Sequence, residues 1–264
     1  MWKVKLFILI FFISVSAYAE TRIVNKNEQV SVKLKQREAI FGIKDGVDID
    51  IFLDDKVLFS TSLKNFKSVK YVEREIVSFV NLQKRLAESY GQQLKLNVEE
   101  AQKWGATKTP LDAIKSLFSF EVPNTDSVQG DINCINGLIN SQKATSFSQA
   151  LANFSQEKVN NLIKNEVLLV SPKEIEIKYS QQSLLGVNDG VYVDLYIKGE
   201  IVYSEFFANS KSVDDVKTEL APVISKINNS KKPFLLQFGK AKKRSLSSIA
   251  TPKDHFFDLF DIAK

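Results

Sequence analysis

Histidine and cysteine are almost missing from this chain, with His255 and Cys134 standing alone among 264 residues. One thiol excludes an intramolecular disulfide, and one histidine beside it leaves no basis for a His/Cys metal site. Free cysteine packs as a small hydrophobe, so Cys134 is expected to be buried. Excess charge of one sign is scarce as well. The 36 basic and 31 acidic residues give a net +5, too mild a balance to imply nucleic acid as a partner. There is no Gly-rich phosphate loop, no HExxH, no CxxC and no GxSxG elbow, so the residue patterns that announce common chemistries are absent. No metal and no cofactor is expected. Paired carboxylates need no fixed spacing, which leaves a carboxylate hydrolase as the catalytic class still open.

Long apolar runs are limited to one. The chain starts MWKVKLFILIFFISVSAYAE, with Lys3 and Lys5 ahead of an apolar run from Leu6 to Val15 and the small residues Ala17 and Ala19 around Tyr18. This pattern predicts a secretory signal, residues 1–19, cut after Ala19; about 14 apolar-leaning residues are fewer than the roughly 20 of a spanning helix. Its removal takes away Lys3 and Lys5 and no acidic residue, lowering +5 to +3. The mature chain is expected to be periplasmic or secreted, without a transmembrane span.

What the sequence does contain is self-similarity. Residues 41–80, FGIKDGVDIDIFLDDKVLFSTSLKNFKSVKYVEREIVSFV, align without a gap at an offset of 144 with LGVNDGVYVDLYIKGEIVYSEFFANSKSVDDVKTELAPVI. Twelve of the 40 positions are identical, and TPLDAIKSLF (109–118) matches TPKDHFFDLF (251–260) further on. The reading is a tandem duplication: copy 1 over 29–119, copy 2 over 174–264, and a helical connector over 120–173 between them.

Each copy reads as an α+β unit. VSVKLK and EIEIKY alternate apolar and polar residues, as half-buried strands do. Asp45-Gly46 and Asp189-Gly190 have the composition of a tight hairpin turn, and Asp54-Asp55 or Lys198-Gly199 that of a second reversal. A helix then begins near Ser68 or Ser212, with Val69, Val72, Ile76, Phe79 and Leu86, or Val213, Val216, Leu220, Val223 and Ile227, at helical spacing. A short strand, LKLNV or FLLQF, leads to a closing helix. In TPxD the threonine caps, the proline takes the first helical position and the aspartate complements the positive helix end. The expected architecture is two lobes, each a mostly antiparallel sheet with helices on one face. In the connector, helical stretches are expected around Ile132 to Asn140 and Ser146 to Lys164. The order of elements, ending in a strand and a TP-started helix, is similar to that of the periplasmic domain of the ExbD/TolR biopolymer-transport family. That family's transmembrane helix with its proton-carrying acid has no counterpart here, so the resemblance does not imply channel function.

Three groups of residues invite a functional reading. His255 falls beside Asp254 and Asp258, but its counterpart in copy 1 is Ala113, which predicts a surface or partly buried residue of a helix start. The aspartates Asp45, Asp48, Asp50, Asp54 and Asp55 lack the glycine and glutamate spacing of a calcium loop; of them only Asp45/Asp189 and Asp50/Asp194 recur, the second pair expected to meet Lys67 or Lys211 on the outward face. The basic tract Lys240, Lys242, Lys243 and Arg244, near Lys231 and Lys232, faces Glu99 and Glu100 at the aligned place in copy 1. The expected function is that of an exported, non-enzymatic binding protein of the bacterial cell envelope. Through the basic tract it would meet an envelope protein or an anionic envelope surface. The alternative is a small-ligand binder for a lipid, glycan or peptide in the crevice between the lobes, marked by the outward aromatics Phe52, Tyr192 and Tyr196.

Overall fold

The computed structural model describes residues 21–24, 28–38, 44–64, 69–107, 110–118, 129–141, 143–144, 146–152, 154–184, 187–208, 211–245 and 251–262. The expected signal, Lys67, Ser68 and Thr109 lie outside them.

In chain order a short strand β1 (Thr21–Ile23) precedes an antiparallel meander of β2 (Val30–Glu38), β3 (Lys44–Leu53) and β4 (Lys56–Lys64). Helix α1 follows over residues 69–90: a turn Val69–Val72, a π-helical stretch Glu73–Val77 and the run Ser78–Tyr90. Gly91 stops it, with the left-handed φ of 62° that a glycine adopts without steric cost. β5 (Lys95–Asn97), α2 (Val98–Thr107) and α3 (Pro110–Leu117) complete this half. The connecting helices are α4 (Gln129–Asn140), α5 (Phe147–Leu151) and α6 (Gln156–Lys164). The second half contains β6 (Val167–Val170), the meander β7 (Ile175–Leu184), β8 (Val187–Ile197) and β9 (Glu200–Phe207), then α7 (Val213–Glu219), α8 (Ala221–Asn229), β10 (Phe234–Gln237), α9 (Phe238–Ser245) and α10 (Pro252–Leu259).

The fold is α+β with antiparallel sheets. Period-two alternation sets the buried faces: Val47, Ile49, Ile51 and Leu53 in β3, and Val191, Val193, Leu195 and Ile197 in β8, are all buried. The two meanders share a register. Ile49 faces Leu34 and Thr61, Val193 faces Tyr179 and Glu205, and a bulge follows Ile51 in one and Leu195 in the other. Ser60 Oγ donates to Asp50 at 2.6 Å, and Ser204 Oγ donates to Asp194 at the same distance. The second reversals, at Asp54-Asp55 and Lys198-Gly199, are where they were expected, with positive φ at Asp54, Lys198 and Gly199.

Several expectations need correction. Asp45-Gly46 and Asp189-Gly190 are not hairpin turns but lie inside β3 and β8, beside register shifts opposite Arg37/Glu38 and Gln182/Ser183. The glycine is needed there for close approach: a Cβ on Gly190 would fall 2.2 Å from the Phe207 carbonyl oxygen. Gln36 and Gln181 donate side-chain amides to the carbonyls of Gly46 and Gly190. β5 and β10 do not extend the meanders; each forms a separate antiparallel ladder, with β1 and with β6. Those ladders bring β1 and β6, which precede residues 29 and 174, against β5 and β10. An unexpected helix, α2 or α9, stands between the short strand and the closing helix. The stretch from Ser146 to Lys164 is two helices, because Ser155 caps the second by accepting from the amide of Lys158.

Helix α1 joins the halves. Val72, Ile76, Val80 and Ala87 pack with the β2–β4 meander, α2 and α3 in one hydrophobic core. Leu82, Leu86 and Tyr90, on another face of the same helix, pack in the core of the second half with α4, α5, α6 and the β7–β9 meander. Leu86 thus serves the second core, not the stripe of copy 1.

Candidate functional site

A groove opens along β7. In the β7-β8-β9 sheet, β7 pairs with β8 alone among the described strands. The other edge, β9, is covered by α1, whose Asn81 Nδ2 donates to the Ile201 carbonyl at 3.0 Å. Ile175, Ile177 and Tyr179 continue the apolar face of the sheet onto β7 yet stay half-buried. Across from them stand Ala221, Ile224 and Ile227 of α8, and the space between has a volume of about 650 Å³. The sequence encodes both walls by simple periodicity: i, i+2, i+4 on the strand and i, i+3, i+6 on the helix. Pro222 marks the first turn of α8, so the helix line breaks at Leu220, where α1 in the first half runs through. The Tyr179 hydroxyl is buried without a hydrogen-bond partner, and burial raises its pKa. On the solvent side of the strand, Glu176 and Lys178 lie 3.3 Å apart, both exposed.

At the junction of the halves, Arg74 reaches from the π-helical stretch of α1 onto the outward face of the β7–β9 sheet. Its Nε lies 2.9 Å from Asp194 Oδ1, its guanidinium stacks 3.9 Å from the Tyr192 ring centroid, and it donates to Ser180 Oγ. Both charges are nearly sealed, Arg74 at 8% and Asp194 at 6% exposure. Asp194 therefore does not pair with Lys211, which bonds Glu219 instead. Arg85 reinforces the junction by pairing with Glu200 at 2.7 Å. A crevice of about 640 Å³ opens beside it, lined in part by Val30, Lys84, Arg85, Glu88 and Glu200.

The outward aromatics do not gather around that crevice. Tyr192 is held under Arg74 and against Phe206, with ring centroids 4.6 Å apart. Tyr196 lies under Lys178, and Phe52 lies under Lys33, each ammonium 4.2 Å from its ring centroid. The basic tract lies on α9 rather than in a loop. Lys240 pairs with Asp261 at 3.0 Å and Lys242 with Glu166 at 2.7 Å, which ties α9 to the end of α10 and to the start of β6. The side chains of Lys243 and Arg244 lie outside the described residues. Lys232 bonds the Asn140 carbonyl.

His255 is buried, at 5% exposure, which corrects the expectation of a surface or partly buried residue. Thr251 and Asp254 form the expected cap and capping box of α10, and the turn then carries His255 inward onto β9. Its Nδ1 lies 2.9 Å from Glu205 Oε2, which also accepts from the Tyr203 hydroxyl at 2.7 Å. The carboxylate thus meets both side chains, and His255 Nε2 is buried without a hydrogen-bond partner. Burial, with the Glu205 charge beside it, holds the Tyr203 phenol well above its ordinary pKa. Asp258 is buried one turn along. In the first half the same positions hold Phe59, Thr61, Ala113 and Ser116, so this polar set is particular to the second half. Cys134 is exposed on α4, again unlike the expectation, because the inward positions of that helix go to Ile132 and Ile135.

Among the described residues there is no group of three or more His, Cys, Asp or Glu side chains placed to hold a metal ion, and no helix long and apolar enough to cross a membrane. Sequence reasoning missed Arg74 and the groove. A charged residue amid a helical stripe was the available signal for the first; for the second it was the poor burial partnership of Ile175, Ile177 and Tyr179, which no single segment reveals. Comparison with protein families, with curated proteins and with solved structures gave no match.

Proposed function

We propose that the chain is an exported, non-enzymatic binding protein of the cell envelope, which receives an extended segment of a partner protein in the groove beside β7. The observation that carries this is an apolar groove of about 650 Å³ along a strand edge with no described neighbour. Such edges bind by strand addition: main-chain hydrogen bonds supply affinity, and alternate side chains enter the groove. The expected signal supplies the compartment. The test is capture from the envelope fraction by residues 20–264, comparing the unaltered chain with Ile224→Asp and His255→Ala. Ile224→Asp, which puts a charge into the groove wall, should abolish recovery of the partner. His255→Ala, away from the groove, should retain it under conditions where the protein is folded. Equal capture by the Ile224 variant would sink the proposal.

The crevice beside Arg85 favours a second reading, a small polar ligand between the halves, since Arg85 Nε is buried there without a partner. A thermal-shift screen with glycans, lipids and peptides discriminates the two, because only the second reading expects stabilisation by a small molecule that persists in Ile224→Asp.

A further inference from the structure

We infer that the segment received beside β7 is β7 of a second copy of this chain, joined antiparallel about a two-fold axis at Ile177; the inference rests on the groove being a docking surface. The pattern of the strand is self-complementary. In that register Ile177 meets the partner's Ile177, Ile175 meets the partner's Tyr179, and Glu176 meets the partner's Lys178. The inward set lays three more apolar side chains beside the groove walls of each copy. The outward set answers each exposed carboxylate with an exposed ammonium, twice by symmetry, as an isologous interface requires. Glu176 and Lys178 are exposed and share one face of the strand, so neither has to leave a buried partner.

The corresponding edge of the first meander lacks this property. β2 presents Ser31, Lys33 and Lys35 on its outward face, and the carboxylates opposite the two lysines, Asp50 and Asp48, stand on β3 rather than on the strand itself. Edge lysines of this kind oppose strand pairing. The far edge of the second meander is closed by α1. Among the described edge strands of the two meanders, β7 combines an apolar inward face, a groove and alternating opposite charges, and ten residues give it length enough to pair.

The test is sedimentation velocity of residues 20–264 over a concentration series, with Glu176→Lys, Lys178→Glu, the double exchange, and an equimolar mixture of the two single variants. The unaltered chain should dimerise. Each single variant sets like charges opposite one another twice and should weaken the dimer by about tenfold or more. The double exchange should restore it, and the mixture should form heterodimers, because an all-lysine edge then meets an all-glutamate one. Circular dichroism of these exposed-site variants checks that each is folded. An unaltered chain that stays monomeric, or a dimer indifferent to the charge exchanges, overturns the inference. Ile224→Asp separates this failure from failure of the broader proposal: lost envelope capture by that variant beside a monomeric unaltered chain leaves the groove as the binding site and removes only the second copy as its occupant.

Discussion

Arg74 carries a buried charge from α1 onto the β7–β9 sheet, where Asp194 meets it. It leaves water for Asp194, Ser180 and the Tyr192 ring, and its own burial is repaid only while all of them are present. Truncating one partner of such a pair strands the other charge, which costs about 3–5 kcal/mol. Arg74→Ala should therefore lower unfolding stability by that amount in urea denaturation, and Arg74→Met combined with Asp194→Leu should recover part of the loss. Equal stability of Arg74→Ala and the unaltered chain would show that the pair contributes nothing. A charge amid a helical stripe could mark Arg74 in the sequence but not its partner, which lies 120 residues away, and the internal alignment places Thr218 where a second arginine would stand. His255 was misplaced for a related reason. The aligned Ala113 indicated that an imidazole is not needed for the helix start, but both positions are inward, and the residue type at one says nothing about the depth of the other.

Elements were legible where the local pattern alone determines them. The alternation in β2, β3, β7 and β8, the turn at Lys198-Gly199 and the cap at Thr251 follow from period and residue type, and the structure has them where they were expected. Helices α2 and α9 were not legible, since each begins directly at the end of a short strand, with no turn residue to punctuate the change from period two to period 3.6. The two-faced character of α1 was hidden as well. Its apolar positions drift when read as one stripe, but they form two stripes that serve two cores. This arrangement predicts that Ile76→Ala and Leu82→Ala, in different cores, each cost about 2–5 kcal/mol. Both should displace the same single unfolding transition in calorimetry. Two transitions, with only one moved by each variant, would mean that the helix does not couple the cores.

On the scale of the whole molecule, the buried phenols set an alkaline limit. Tyr90, which donates to the Val167 carbonyl, and Tyr203 both hold their protons above the ordinary tyrosine range, burial being the first cause in each. A phenol whose folded pKa is raised stabilises the fold fully below the unfolded value near 10, and that contribution fades as pH climbs past it. Urea midpoints should therefore hold steady from about pH 8 to about pH 9.5 and fall toward about pH 11, with a shallower fall in Tyr90→Phe and Tyr203→Phe. A flat profile would contradict the assignment. The position of α1 in the chain also has a consequence in time. The helix is complete at Tyr90, whereas Val167, Tyr203 and the rest of the second core are made only later. At roughly 5–20 residues per second, about 170 further residues, up to Phe260, take on the order of 9–34 s. Throughout that interval Leu82 and Leu86 have no second core to enter, so α1 is packed on both of its apolar faces only once the residues up to Phe260 have been made.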